Sequence, residues 1–232
     1  MPYSSPSIID IPSSVLSSRG VGKVYSLLAL ALLITFLGVG VGALFALPII
    51  SSGWLLLLGI LEIALIWTAP HWVSKSPINL FLFFAFPFLS GLTITPFLLS
   101  VAFQYANGAV ILLNASVATA LLCLASAVFV SITKTDLSRT LGLFLFQALI
   151  GLIVFGFLQL FFPIFRGSGF EMILSGAGIV IFALFLAVDI QRVVRRSHSD
   201  HPMLLALSLY LDVFNLFLYV VRFMVAMSGN RR

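Results

Sequence analysis

Seven apolar runs, each long enough to cross a lipid bilayer, constrain this chain more than any other feature of its sequence. A transmembrane helix needs about 20 mostly apolar residues to span the hydrocarbon core. The connections between the runs are too short to form a separate soluble domain. The runs cover residues 24–47, 52–70, 78–104, 107–131, 140–162, 171–191 and 203–227.

The composition supports a membrane protein built from helices. Only 8% of the residues are charged, against about 25% in a soluble domain. Transmembrane β-strands would show segments of about 10 residues with alternating polarity, and no segment alternates in this way. We therefore predict an all-α polytopic membrane protein with one seven-helix domain over residues 23–228. Residues 1–22 would form a flexible tail without a secretory signal, and residues 229–232 a short C-terminal tail.

The basic residues predict the orientation of the helices. If the runs alternate in direction, eight basic residues lie on the side of the N-terminus and three on the other side. The positive-inside rule then places the N-terminus in the cytoplasm. If the last run entered the membrane and returned to the same side, the basic residues would divide ten against one. The length of that run favours a full crossing. Because the basic residues are scattered and form no basic face, nucleic acid is not an expected partner. The eight are Arg19, Lys23, Lys75, Lys134, Arg139, Arg192, Arg195 and Arg196.

Small residues and prolines mark two of the runs. Gly38 and Gly42 form a GxxxG pair, a spacing that lets two membrane helices approach closely. The third run contains Pro96, which removes a helical hydrogen-bond donor and favours a kink. Thr93 and Thr95 could supply hydroxyl groups to carbonyls that lose their partner there. A kinked helix would suit a transport path, although passive bundles contain such helices as well.

Three acidic residues lie inside apolar runs: Glu62, Asp189 and Asp212. A charged side chain at membrane depth costs about 3 kcal/mol or more, so it faces protein or water rather than lipid. These three carboxyl groups are therefore the first candidates for a functional role.

The seventh run carries a polar stripe on an otherwise apolar helix. Five polar residues recur at spacings of 4, 3, 4 and 3, which places them within an arc of about 80° on a helix. The stripe either lines a pathway or holds neighbouring helices together through polar contacts. The second and last members are ten residues apart, about 15 Å along the axis, which is too far for a direct ion pair. The stripe consists of Ser208, Asp212, Asn215, Tyr219 and Arg222.

Four stretches, in order along the chain, resemble the signatures of the Bax inhibitor-1 family, also called the TMBIM family. The most specific is ALSLYLDVFNLFLYVVRF, residues 206–223, which is similar to the last transmembrane signature of the family. SGLTITP at residues 90–96 resembles the signature of the third span, and AVDIQRV at residues 187–193 that at the end of the sixth. ILE at residues 60–62 resembles a second-span motif of bacterial members.

The resemblance implies six helices around a central seventh, in the inner membrane of a bacterium. It also implies a pH-sensitive calcium leak, with a pair of aspartates at the cytosolic end of the pore that matches Asp189 and Asp212. In a bacterial relative an arginine at the end of the second span helps to latch the closed state. Val73 occupies that position here, so His71 or Lys75 would have to substitute as the partner of the gate.

The chemistry of an aspartate pair fits this implication. Two carboxyl groups within hydrogen-bonding reach do not ionise together easily at low dielectric constant, so we expect Asp189 and Asp212 to share one proton. Calcium takes 6–8 oxygen ligands, and these two side chains with Asn215 supply too few to hold the ion. A transient calcium contact, and hence a leak without a resident cofactor, is the expected behaviour.

A non-conducting regulator that binds a membrane-embedded partner, such as a quality-control protease, is the alternative function. Hydrolysis by intramembrane aspartates is disfavoured, because the short loop before the seventh run offers no separate gate for a substrate. We therefore expect no enzymatic activity. Cation flux through the purified protein in liposomes distinguishes the channel from the regulator.

Overall fold

The structure is a computed structural model that describes residues 13–44, 54–196 and 200–229. Within these residues the chain forms seven α-helices and one short 3-10 helix, Pro163–Arg166, and no strand. All seven α-helices are long and apolar enough to cross a membrane, so the predicted all-α, multi-pass membrane protein is confirmed. The helices are α1, Ser13–Leu44; α2, Trp54–Trp72; α3, Ile78–Gln104; α4, Gly108–Ile132; α5, Leu137–Phe161; α6, Ser168–Arg196; and α7, Pro202–Ser228.

The ends of two helices differ most from the prediction. α1 begins at Ser13, directly after Pro12, so the second half of the expected tail 1–22 is helical. Residues 1–12 and 230–232 of the two predicted tails lie outside the described residues. α6 continues to Arg196, five residues beyond the predicted run 171–191. As a result, Asp189 lies about two turns inside α6 instead of at its end.

Polar contacts to α5 explain why α6 extends past its apolar part. The side chain of Gln191 accepts a hydrogen bond from the backbone of Leu137 at 2.8 Å and donates one to the carbonyl of Thr135 at 2.9 Å. The guanidinium of Arg195 lies 3.5 Å from the carboxylate of Asp136. These contacts supply the first turn of α5 with partners that the helix itself cannot provide.

α1 and α3 pack closely because glycines lie at their contact. A Cβ atom on Gly42 would lie 2.5 Å from the hydroxyl oxygen of Thr95, and one on Gly38 would meet the carbonyl oxygen of Phe88. The GxxxG pair therefore lies in a helix contact. α3 remains one continuous helix through Pro96, and the Thr95 hydroxyl donates to the carbonyl of Gly91 at 2.7 Å.

α7 packs against α1, α3, α4 and α6. The main contacts of α2 are with α3, and those of α5 are with α6. These contacts do not confirm that six helices surround α7, although α7 has the largest buried share of all the spans. Because successive helices run in opposite directions, we can name the two ends of the bundle by the residues that lie there. The Asp189 end holds the C-terminal part of α6 and the start of α7, and the Arg222 end holds the start of α6 and the C-terminal part of α7.

Candidate functional site

α6 and α7 bring Asp189 and Asp212 together inside the bundle. The two residues are only 7% and 6% exposed, and their side chains lie within hydrogen-bonding range of each other. Asp189 also interacts with the side chain of Ser208, which lies one turn before Asp212 on α7. We call Asp189 and Asp212 the aspartate pair.

One oxygen of the aspartate pair has no partner. Oδ2 of Asp212 is buried and makes no hydrogen bond with any described residue. Leaving a buried acceptor unpaired costs about 1–3 kcal/mol, and more where the group is charged. A proton or a cation between the two carboxyl groups would relieve both this cost and the repulsion between them.

Within the described part of the chain, Arg192 is the basic residue that contacts the aspartate pair. Its guanidinium lies 3.2 Å from Oδ1 of Asp189, one turn further along α6. His71 and Lys75, the expected gate partners, are exposed, and neither makes an ion pair or hydrogen bond with the pair in the described chain. Val73 is buried. Sequence reasoning used Arg192 only to predict the orientation of the helices, although its spacing of three from Asp189 is typical of a helical ion pair.

Glu62 meets two hydroxyl groups of α3 rather than a basic residue. Ser90 donates to Oε2 of Glu62 at 3.0 Å, and Thr93 donates to Oε1 at 2.8 Å. Ser90 also interacts with the hydroxyl of Tyr210, which is fully buried and lies 2.7 Å from the hydroxyl of Thr35. Polar contacts therefore link α2, α3, α7 and α1 inside the bundle.

Arg222 forms an ion pair at the opposite end from the aspartate pair. Its Nε atom lies 2.6 Å from Oε1 of Glu171, and one terminal nitrogen lies 3.2 Å from Oε2. The same nitrogen donates to the side chain of Gln159 at 3.1 Å, and Gln159 donates to Glu171 at 2.7 Å. Tyr219 places its ring 5.6 Å from the guanidinium. Glu171 and Gln159 were not among the candidates from the sequence, because both lie near the ends of apolar runs.

A cavity of about 740 Å³ extends inwards from this ion pair. We call it the vestibule. It lies between α3 and α7, and its lining runs from Gln104 and Val225, near the Arg222 end of the bundle, past Glu171 and Arg222 to Thr93 and Asn215 further in. Asn215 lies three residues, about one turn, from Asp212, and its amide donates to the carbonyl of Leu211 at 2.8 Å. The vestibule thus reaches within about one helical turn of the aspartate pair.

Comparison with known proteins identifies the relatives of this bundle. Residues 18–230 match the sequence model of the family described as "Inhibitor of apoptosis-promoting Bax1". The chain belongs to the Bax inhibitor-1 family.

Members of the Bax inhibitor-1 family that resemble this chain occur in bacteria, plants and animals. An uncharacterised protein of Campylobacter jejuni is 32% identical over 212 residues, which cover 90% of this chain and 88% of the relative. Protein LIFEGUARD 1 of Arabidopsis thaliana is 30% identical, with 89% and 88% covered, and protein lifeguard 4 of Mus musculus is 30% identical, with 66% and 60% covered. Neither the description of the family nor these names is that of an enzyme.

Proposed function

We propose that this protein is a pH-sensitive cation leak channel, with calcium as the permeant ion, gated by a proton that Asp189 and Asp212 share. The observation that carries the proposal is the buried contact between these two carboxyl groups, one helical turn beyond the inner end of the vestibule. A path for ions then needs to open from the inner end of the vestibule past the aspartate pair to the Asp189 end of the bundle.

The proton controls the packing of α6 against α7. With one proton in the pair, one carboxyl group donates to the other and a single negative charge remains, which Arg192 balances from 3.2 Å. Without the proton, two negative charges about 4 Å apart repel each other by on the order of 4 kcal/mol at an effective dielectric constant of 20. A change of this size can reverse an equilibrium between closed and open packing. Flux should therefore increase as the proton is lost, that is, as the pH rises.

Acidic and amide oxygens near the inner end of the vestibule suit a calcium ion in transit. Thr93 lines the vestibule and donates to Glu62, while Asn215 lies about one turn from Asp212 along α7. Calcium prefers carboxylate, carbonyl and water oxygens. Because these protein ligands are few, an ion would keep part of its water and pass through instead of remaining bound.

The basic residues of the chain give the channel an orientation. Eight of them lie at the Asp189 end against three at the opposite end if all seven helices cross, which favours the Asp189 end in the cytoplasm. The N-terminus would then be cytoplasmic and the vestibule would open on the outer side of a bacterial inner membrane.

Flux measurements in liposomes test the proposal. Purified protein should pass calcium in preference to other cations, with a rate that changes with pH. Asp189→Asn and Asp212→Asn keep the size of the side chains but remove the shared titration, so each should flatten the pH profile. The double variant should be no flatter than the single ones, because one proton serves both residues. Asp200→Asn, at the same end but outside both helices, should leave the profile unchanged.

Two results would count against this function in different ways. A wild-type protein without flux at any pH would exclude the channel and favour the alternative, a non-conducting regulator that binds a membrane-embedded partner. If both single variants conduct with the pH profile of the wild type, the protein is still a channel, but the shared proton does not control it.

A further inference from the structure

Three side chains at the entrance of the vestibule form a closed cluster. Arg222 donates to both carboxylate oxygens of Glu171, and Gln159 completes the ring by accepting from Arg222 and donating to Glu171. α5, α6 and α7 each contribute one member. We call these three residues the mouth cluster.

The mouth cluster decides the charge of the entrance. Among the described residues that line the vestibule, Glu171 and Arg222 are the only charged ones. The guanidinium of Arg222 is a positively charged group, so only an anionic partner can neutralise it. Gln159 contributes hydrogen bonds but no charge. The neutrality of the entrance therefore depends on Glu171 alone.

We propose that Glu171 determines which sign of ion enters the vestibule, because it neutralises Arg222 at the mouth. The inference rests on the proposed cation path and adds the residue that keeps it open to cations. Without Glu171, the unpaired charge of Arg222 would lie between the bulk solution and Asn215. That charge would repel a hydrated cation and attract an anion, and the aspartate pair would lie behind a positive barrier.

The size of this effect follows from the spacing on α7. Leu218 lines the vestibule and precedes Arg222 by four residues, so the two side chains are about 6 Å apart. A unit charge at that distance in water changes the local concentration of a monovalent ion about threefold. The ratio of cation to anion concentration therefore changes about tenfold. Low ionic strength preserves the effect, and salt above about 1 M removes most of it, because the Debye length is then about 3 Å.

A cysteine inside the vestibule can report this ratio without any ion flux. Leu218→Cys in a Cys123→Ala background provides one thiol on the vestibule wall. The rates at which cationic and anionic thiol reagents of similar size modify this cysteine give the ratio of cation to anion concentration in the vestibule. Glu171→Gln should lower the ratio about tenfold at low ionic strength, and Arg222→Gln should raise it by a similar factor.

Two further variants separate charge from structure. The double variant Glu171→Gln with Arg222→Gln restores a neutral mouth, so its ratio should return to within about twofold of the parent. Gln159→Leu breaks the ring of hydrogen bonds but alters no charge, and its ratio should also stay within about twofold. If Glu171→Gln fails to fold, the exchanged pair Glu171→Arg with Arg222→Glu takes its place, and a parent-like ratio is expected.

The order of the ratios decides the outcome. The inference is supported if the ratio for Arg222→Gln is higher than the ratios for the parent and the double variant, and the ratio for Glu171→Gln is lower than both. Any other order overturns it. For the exchanged pair, a ratio more than about threefold from the parent overturns it as well. Failure of the proposed channel is distinct, because it appears as absent flux in liposomes while the thiol ratios keep the expected order.

Discussion

Gly91→Ala should weaken the contact between α1 and α3. Gly91 lies where the two backbones meet, opposite Gly38 in the GxxxG pair. A Cβ atom at position 91 would meet the carbonyl oxygen of Thr35 and lie 2.9 Å from both Cα of Gly38 and the nitrogen of Val39. All three are backbone atoms, so no side chain can rotate away and the helices themselves must separate.

The loss of stability can be worked out from this geometry. Carbon atoms in good contact are about 3.5–4.0 Å apart, so α1 and α3 must move apart by roughly 0.6–1 Å. Overpacking of this kind costs about 1–3 kcal/mol, and the upper end applies because backbone meets backbone. The higher helix propensity of alanine returns about 1 kcal/mol. We expect a net loss of about 2 kcal/mol in the free energy of unfolding.

Unfolding in mixed micelles of mild detergent and sodium dodecyl sulfate measures this loss. Gly40→Ala and Gly59→Ala are matched controls on α1 and α2, because a Cβ atom at either position meets no atom within 4 Å. Both controls should be neutral or stabilising by up to about 1 kcal/mol. If Gly91→Ala proves as stable as Gly40→Ala, the close approach of α1 to α3 is not what holds these helices together.

Two other predictions concern single polar side chains. Glu62→Gln should lower the free energy of unfolding by about 1 kcal/mol in the same assay, because the amide oxygen can accept at full strength from only one of the hydroxyls of Ser90 and Thr93. An unchanged stability would contradict the role of these hydrogen bonds. His201 caps α7 by accepting from the backbone of Met203 at 3.3 Å, and burial together with the charge of Lys23 lowers the pKa of His201 below its usual 6.5. The capped first turn is therefore fully stable above about pH 6.5 and loses stability as the pH falls further, since the unfolded turn binds the proton more readily. Hydrogen exchange in that turn, corrected for intrinsic rates, should accelerate below that pH in the wild type and not in His201→Asn.

Apolar length was enough to predict the seven helices, but not where α6 ends. Hydropathy falls at Gln191 and Arg192, so the run stops near residue 191 in the sequence. The helix continues because Gln191 finds backbone partners at the start of α5, and Arg195 finds Asp136. Such partners come from another helix, and no local pattern indicates them. With these five additional residues, Asp189 lies about two turns before the end of α6, where its side chain meets Asp212.

The period of 3.6 residues correctly placed the polar stripe on one face of α7, but this face has two different neighbours. Ser208 and Asp212 meet Asp189 on α6. Asn215, Tyr219 and Arg222 line the vestibule. A contact between helices and a lined cavity were alternatives in the sequence, and each describes one part of the stripe. Periodicity shows which side chains share a face, and only packing shows that the neighbour changes along the helix.

The partner of Arg222 shows where sequence reasoning stops. Arg222 lies six residues, about 9 Å, from the end of α7, whereas Glu62 lies about 12 Å from the start of α2 and Glu171 about 5 Å from the start of α6. In an alternating bundle these three positions share one end, and their depths differ by only about 3–4 Å from that of Arg222. Depth therefore does not choose between the two acids. α6 packs along α7 while the main contacts of α2 are with α3, so Arg222 meets Glu171, and Glu62 is left to the hydroxyls of α3. The order of helices around the bundle, which the sequence does not state, decides which charges are paired.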